Sequence, residues 1–204
     1  MQQSKRKQMN RLSIQMAAIK LFSQKQYSDV TMDAIATEAG LTKRTLYQYF
    51  PSKLSLMSSI FEAHMQEEYI ALSGAVYGLE SSEEVILAAA RALYEFTKDN
   101  IRFMRLLWSI NDDVWGTEIP TEVFDRIKIM NDMLLNVGAE RIAKMELHGV
   151  FANYTPREVS QFISAINKGI FLQVRKVTGQ GIQGITTDQL FELALNVYKK
   201  CFQE

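Results

Sequence analysis

Apolar residues recur along this chain at three- and four-residue spacing from end to end and show no sustained alternation. The pattern therefore predicts helices and no strands. A first helix is expected over about Asn10 to Gln24, with Leu12, Met16, Ile19 and Phe22 as its apolar stripe. A second starts after Thr31, turns Ile35 and Ala36 inward and ends at Gly40, a residue suited to the left-handed turn after a helix. Thr42 caps a short third helix, Lys43 to Tyr49. Pro51-Ser52 restarts the chain as a long fourth helix reaching about Val76, which Gly78 closes. Ser81 and Glu84 hold the paired positions of a capping box and open a fifth helix, to about Thr97.

A sixth helix spans about Ile101 to Ile110, before a polar loop from Asn111 to Thr117 that holds Gly116. Pro120 opens a seventh, to about Leu147, and His148-Gly149 breaks it. Thr155-Pro156-Arg157-Glu158 combines a cap, a first-position proline and a third-position acid, and its helix reaches about Val177. Gly179, Gly181 and Gly184 form a loop, and the last helix runs from about Asp188 to Phe202. The expected fold class is all-α, with about nine helices.

At 204 residues with 47% apolar positions, the chain can bury a sizeable core as one domain or a small pair. Its single cysteine, Cys201, excludes an internal disulfide framework and a Cys-rich metal site. No run of 18 apolar residues occurs, and the polar, basic N-terminus lacks the apolar stretch of a secretory signal. The expected setting is a reducing cytoplasm, without membrane association.

The net charge of zero hides an asymmetry. Residues 1–53 carry nine basic groups, among them Lys5, Arg6 and Lys7, against three acids, and the remainder carries 14 basic groups against 20 acids. A basic first quarter on an acidic body suits a polyanionic partner at one end, although a solvated basic tail has the same composition.

That first quarter also holds the most informative spacing. Thr31 to Tyr49 reads as helix, tight glycine turn, helix, the layout of a helix-turn-helix, whose second helix enters the DNA major groove. Leu46 and Phe50 turn inward, which leaves Lys43, Arg44, Tyr47 and Gln48 on the outer side. Arginine matches the two acceptors of guanine, and glutamine matches adenine. A helical hairpin with solvated polar residues carries the same local pattern.

The wider set of residues goes further. Ala17-Ala18, Leu21-Phe22, Tyr27, Val30-Thr31, Ile35-Ala36, Ala39-Gly40-Leu41-Thr42, Thr45-Leu46-Tyr47, Tyr49-Phe50, Ser52-Lys53 and Leu56 together resemble the DNA-binding region of the TetR family of bacterial transcriptional regulators. The resemblance covers residues 12–61, about a quarter of the chain. It implies an N-terminal three-helix DNA-binding domain, residues 1–53, and a C-terminal helical ligand-binding and dimerisation domain, residues 54–204. By position it implies phosphate contacts from Thr31, Thr42 and Lys53. Lys43, Arg44 and Gln48 would read bases, Tyr47 and Tyr49 would bond the DNA backbone, and Thr45 belongs to the same surface. Three positions depart from the family pattern: Gln26 and Arg44 stand where glycine is usual, and Leu54 where an acid is frequent.

One helix-turn-helix covers one half-site, so a homodimer on a two-fold, double-stranded operator is expected. The helix from Pro156 carries Val159, Phe162, Ile163, Ile166, Ile170 and Val174, together with Phe171, Leu172 and a small Gly169. The last helix has two apolar stripes: Leu190, Ala194, Val197 and Cys201, then Phe191, Leu195, Tyr198 and Phe202. Two stripes need two burial partners: one face can pack on the chain's own body and the other on a partner helix, although a helix wrapped inside the monomer carries the same pattern. The resemblance also implies a dimer through these two helices. The expected dimer residues are Phe162, Ile166, Gly169, Ile170, Leu190, Ala194, Val197 and Cys201.

The middle of the chain is rich in aromatic and methionine side chains, which as a group suit an adaptable apolar pocket, though each one taken singly suits plain core better. Phe61, His64, Phe103, Met104, Leu107, Trp108, Trp115, Met130, Met133 and Phe151 are the candidates for binding a small apolar or amphipathic effector. Displacement of the fourth helix by that ligand would then release a repressor from its operator. His64 and His148 are the only histidines, and no HExxH, GxSxG or phosphate-cradling glycine loop occurs. No catalytic residue, metal ligand or cofactor is expected. A helical protein-interaction module without specific DNA binding is the alternative function.

Overall fold

Ile14, Ala17, Ala18 and Phe22 recur at helical spacing and are buried on one side of the first helix, α1 (Gln2–Phe22). α1 starts eight residues before the expected Asn10, so Lys5, Arg6 and Lys7 are helical and exposed rather than a loose arm. The expected stripe is corrected as well. Leu12 is 53% and Met16 69% exposed, and Ile19 is only half-buried. Ile14 and Ala18, each two positions past Leu12 and Met16, form the buried face with Ala17 and the expected Phe22, and they take Gln15 inward with them.

The structure is a computed structural model that describes residues 2–25, 28–103, 121–176 and 185–203, with the side chains of 121–124, 126–127 and 172–176 outside the description. After α1 follow α2 (Met32–Glu38), α3 (Lys43–Tyr49), α4 (Lys53–Val76), α5 (Ser82–Asp99), α6 (Thr121–Ile142), a 3-10 turn (Gly149–Asn153), α7 (Pro156–Lys176) and α8 (Thr187–Lys200). No strand occurs among the described residues. The expected sixth helix beyond Phe103, the polar loop with Gly116, Pro120 and the loop of Gly179, Gly181 and Gly184 lie outside them.

The chain forms two compact units, Met1–His64 with Asn100–Ile127, and Met65–Asp99 with Lys128–Glu204. The core of the first joins Ile14, Phe22, Ile35, Leu46 and Phe50 to Leu56, Met57, Ile60 and Phe61 of α4, with Phe103. Packing thus carries this unit past residue 53, because the first turns of α4 present apolar residues to α1–α3. Gln15 bridges the same elements: its Nε2 donates to the Ser59 carbonyl at 3.2 Å and to Ser59 Oγ at 3.0 Å, both buried.

In the second unit, α5 packs against α7 and α8, and α7 against α8. Tyr94 stacks on Phe191 with ring centroids 3.9 Å apart and donates its hydroxyl to Asp188 at 2.6 Å. Lys98 donates to the same carboxylate at 2.7 Å. Lys98 first, then Tyr94, hold the Asp188 carboxyl below its ordinary pKa, while burial pushes the Tyr94 phenol up to about 12.

Helix ends follow their capping chemistry. The Thr155 backbone amide and hydroxyl both donate to Glu158, and Thr186 and Gln189 complete a capping box on α8. Two ends differ from expectation. α6 stops at Ile142, not near Leu147, because Lys144 N–H and Met145 N–H bond back three residues to Arg141 and Ile142 carbonyls and tighten the chain into a turn. α8 stops at Lys200, before Phe202. Gly149, which opens the 3-10 turn, has φ +58°, and a Cβ there would collide with the Cys201 carbonyl oxygen. That carbonyl accepts from Val150 N–H at 2.8 Å and pins the chain's end to the turn.

Gly149→Ala is accordingly expected to lower unfolding stability by about 1–3 kcal/mol. Gly74→Ala, inside α4 with open space around it, should instead stabilise by about 0.5–1 kcal/mol. Urea unfolding followed by far-ultraviolet circular dichroism separates the two signs.

Candidate nucleic-acid interface

The turn between α2 and α3 is built by hydrogen bonds that only one backbone path permits. Leu41 N–H reaches the Ala36 carbonyl at 2.9 Å, and Gly40 N–H the Thr37 carbonyl at 3.1 Å. This pairing closes α2 with Gly40 in the left-handed region, φ +67°. Leu41 packs against the core, as the motif requires. Thr31 caps α2 by accepting from Ala34 N–H, and Thr42 caps α3 by accepting from Thr45 N–H, each at 3.1 Å. Thr42 and Thr45 hydroxyls also bond each other at 2.8 Å.

Leu46 and Phe50 are buried, at 0% and 2% exposure, and fix which side of α3 faces out. Lys43, Arg44, Tyr47 and Gln48 are exposed on that outer side, and Thr45 is half-buried. Lys43 forms an ion pair with Asp33 of α2 at 2.8 Å, which raises its pKa through that bond. Tyr49 is half-buried against the core, and its hydroxyl accepts from Asn10 Nδ2 at 3.2 Å. The Arg11 guanidinium lies over the Phe50 ring, 4.8 Å from its centroid.

Lys53 sits at the first turn of α4 and donates to the Val30 carbonyl at 3.1 Å, tying α4 to the segment before α2. Ser52 and Ser55 cap α4 reciprocally, each side chain accepting from the other's amide, so the departure at Leu54 leaves the helix start intact. Gln26, the other departure, and Tyr27 lie outside the described residues. Sequence reasoning missed Asn10, Arg11 and Gln15. Each acts only through a residue at least 39 positions away in the chain, and no local pattern signals such a pairing.

The described effector candidates fall in both compact units. Phe61, His64 and Phe103 come together, with His64 stacked on Phe103 at 3.5 Å and Phe61 edge-on to Phe103 at 5.3 Å. Burial lowers the His64 pKa to about 3, so the ring is neutral. Phe151 instead packs on Phe202, at 5.2 Å, in the other compact unit. Met133 is half exposed on α6 and Met130 half-buried. Met104, Leu107, Trp108 and Trp115 lie outside the described residues.

The two stripes of α8 part as a two-partner helix requires. Phe191, Leu195 and Tyr198 are buried in the chain's own body. Leu190, Ala194 and Cys201 are only half-buried, and Val197 and its neighbour Leu193 are exposed. On α7, Phe162 is exposed and Ile166 and Gly169 half-buried, and Phe162 meets Tyr198 edge-on at 6.1 Å. Ile170 is a correction: it is 7% exposed and belongs to the internal core with Val159, Ile163 and Phe171. The side chains of Leu172 and Val174 lie outside the description.

Comparison with known proteins adds four findings. Residues 14–60 match the family described as bacterial regulatory proteins, tetR family. The chain is 26% identical over 132 residues to the HTH-type transcriptional activator FasR of Mycolicibacterium smegmatis, a stretch covering 65% of this chain and 59% of FasR. The fold matches a bacterial regulatory protein of the tetR family from Rhodococcus RHA1, with a TM-score of 0.74 at 14% identity over 95% of this chain and 96% of that one. It also matches AibR, crystallised with isovaleryl coenzyme A and operator DNA, with a TM-score of 0.70 at 16% identity over 92% and 97% of the two chains. Among the described residues no helix is long and apolar enough to cross a membrane.

The neutral His64 carries a pH dependence whose sign is fixed. The unfolded chain binds its proton near pH 6.5 and the folded chain only near pH 3, so stability is lost as pH falls between those values. Wild-type protein should lose about 2 kcal/mol more than His64→Leu between pH 7.5 and pH 5. Equal losses in urea titrations at the two pH values would show that the ring takes up its proton as readily in the fold as in the unfolded chain.

Proposed function

We propose, for a chain that belongs to the tetR family of bacterial regulatory proteins through residues 14–60, that it acts as a homodimeric repressor released from a palindromic operator by a small apolar or amphipathic ligand. The observation that carries the reading is the outer side of α3. A short helix seated by Leu46 and Phe50 offers Lys43, Arg44, Tyr47 and Gln48 together to solvent. Those four residues supply donors for base edges and phosphates at the width of a major groove. Thr31, Thr42, Thr45, Tyr49 and Lys53 surround them as phosphate-binding and positioning groups. Lys43 exchanges Asp33 for DNA, so its contribution is smaller than that of Arg44, which needs no such exchange.

The uncovered stripe of α8, with Phe162, Ile166 and Gly169 of α7, is the dimer surface in this reading. Two copies there present two recognition helices to one operator. α4 is the transmitting element, because one continuous helix runs from Lys53 through Phe61 and His64 to Val76. A ligand that favours one setting of that helix over another changes operator affinity by its differential affinity for the two settings. The co-crystallisation of AibR with isovaleryl coenzyme A and operator DNA supports a ligand-responsive reading.

An activator is the second reading, favoured by FasR, which is described as an activator. The same interface serves both. A reporter placed behind the selected operator decides the sign: expression falls with a repressor and rises with an activator.

Selection from a randomised duplex pool should return a palindromic consensus. Arg44→Ala should then weaken binding to it by about 1–3 kcal/mol, roughly tenfold or more. Enrichment without a consensus, lost as salt rises, would reduce the interface to non-specific electrostatics. No enrichment by ligand-stripped protein would favour the interaction-module reading instead. Val197→Glu should leave the circular dichroism unchanged and convert a dimer to a monomer in light scattering. A variant that stays dimeric would move the interface off α8.

A further inference from the structure

Tyr69, Ser73, Val76 and Tyr77 of α4 and its end face Met133, Asn136, Val137, Glu140, Arg141 and Lys144 of α6 and its end, across a groove of about 300 Å³. All of these residues belong to one compact unit. The groove is separate from the Phe61, His64 and Phe103 cluster, and the regulatory reading makes no use of it. Its walls are of two kinds. Tyr69, Val76, Tyr77, Met133 and Val137 provide apolar and aromatic surface, and both Tyr77, at 87%, and Met133, at 50%, stand open to solvent. Arg141 and Lys144 bring cations to the same groove, against the single carboxylate of Glu140, so one net positive charge remains.

Arg141 is the telling residue. Its Nη2 donates to the Leu79 carbonyl just past α4, which holds the guanidinium in place. Its Nε is buried and has no hydrogen-bond partner. Arg141 still lines the groove as a half-buried residue, and its guanidinium beside the Lys144 ammonium favours an anionic oxygen as partner. Arg157, on α7, does not compete for an anion here, because its guanidinium is committed to Asp132 and Asn136 at 2.8 and 2.6 Å.

We propose that this groove binds a small amphipathic carboxylate, its acid group held by Arg141 and Lys144 and its aromatic or aliphatic body lying against Tyr77, Val76, Val137 and Met133. The volume suits a ligand of one or two rings, at the low end of small-molecule sites, which run from about 300 Å³ upward. The mixed lining explains why a carboxylate with an apolar body fits better than either a neutral hydrocarbon or a bare inorganic anion. A hydrocarbon leaves the net positive charge of the groove uncompensated, and a small anion leaves Tyr77 and Met133 in water.

The test uses the full chain, labelled at its methionine methyl groups, and naphthalene-2-carboxylate as the probe, with naphthalene-2-carboxamide as its neutral isostere. Nuclear magnetic resonance should show a saturable shift of the Met133 methyl with the carboxylate, and calorimetry should find the carboxamide about tenfold weaker or worse, the scale of one charge-assisted hydrogen bond. Lys144→Glu and Tyr77→Ala, both at exposed positions and so tolerated by the fold, should each weaken the carboxylate about fivefold or more. Arg141→Gln should do the same, and the two exposed variants keep the test meaningful where loss of the Leu79 bond unfolds the protein. Absence of a Met133 shift at millimolar probe, equal affinity for the two probes, or unchanged affinity in both exposed variants each overturns the proposal. Operator selection is unaffected by any of these outcomes, so failure here leaves the regulatory reading to its own experiment.

Discussion

A helix of seven residues has no stability of its own in water, where isolated helices need roughly 12–15 residues even with favourable sequences. α3 (Lys43–Tyr49) is that short, so its existence and its aim both depend on what it packs against. Leu46 and Phe50 supply the anchor, each worth about 1.5–3 kcal/mol when fully buried. The turn supplies the direction: Gly40 at positive φ lets the Leu41 and Gly40 amides close α2 and swing α3 away from it. Remove either device, and Arg44, Tyr47 and Gln48 become side chains on a loop. The outward set of polar residues is a by-product of apolar burial on the far side of the same helix.

The rest of the first unit serves that seating. Gln15 is a polar side chain in a core position, and its two bonds to Ser59 tie α1 to α4. Arg11 covers Phe50, Asn10 fixes the Tyr49 hydroxyl, and Lys53 ties the start of α4 to Val30. The basic excess of this part of the chain is therefore divided between structural and solvent-facing uses. Lys20 and Lys43 hold Glu38 and Asp33 across the surface. Exposed pairs of this kind contribute little to stability, about 0–1 kcal/mol each, and exchange readily with phosphate.

In the second unit the equivalent role falls to α5. Tyr94 stacks on Phe191 and, with Lys98, holds Asp188 in the first turn of α8, where an acid also suits the helix dipole. This clamp sets the rotation of α8 about its axis. One stripe turns into the core, and Leu193 and Val197 turn to solvent. The proposed dimer surface follows the same logic as α3: what one face buries decides what the other face offers.

Much of this was legible in the sequence. Thr31, Gly40, Thr42, Ser81, Thr155 and Glu158 act where they stand, because capping and positive-φ turns are governed by residues three or four positions apart. The all-helical class, the outward set Lys43, Arg44, Tyr47 and Gln48, and the two stripes of α8 follow from the same short-range periodicity. What the sequence could not determine is which of several apolar phases wins. Leu12 and Met16 have the spacing of a buried stripe, yet Ile14, Ala17 and Ala18 take the core, because small side chains let α1 approach its neighbours closely. Ile170 reads as part of an outer stripe and lies inside, since α7 turns it toward the same core as Val159 and Ile163. In the middle segment, the pairing of His64 with Phe103, and of Phe151 with Phe202, joins residues dozens of positions apart that no local pattern links. The sequence determined the helical class, the capped helix starts and which residue types line each helix. Only the tertiary structure decided which face of each helix is buried, because that choice depends on the shape of surfaces contributed by segments dozens of residues away.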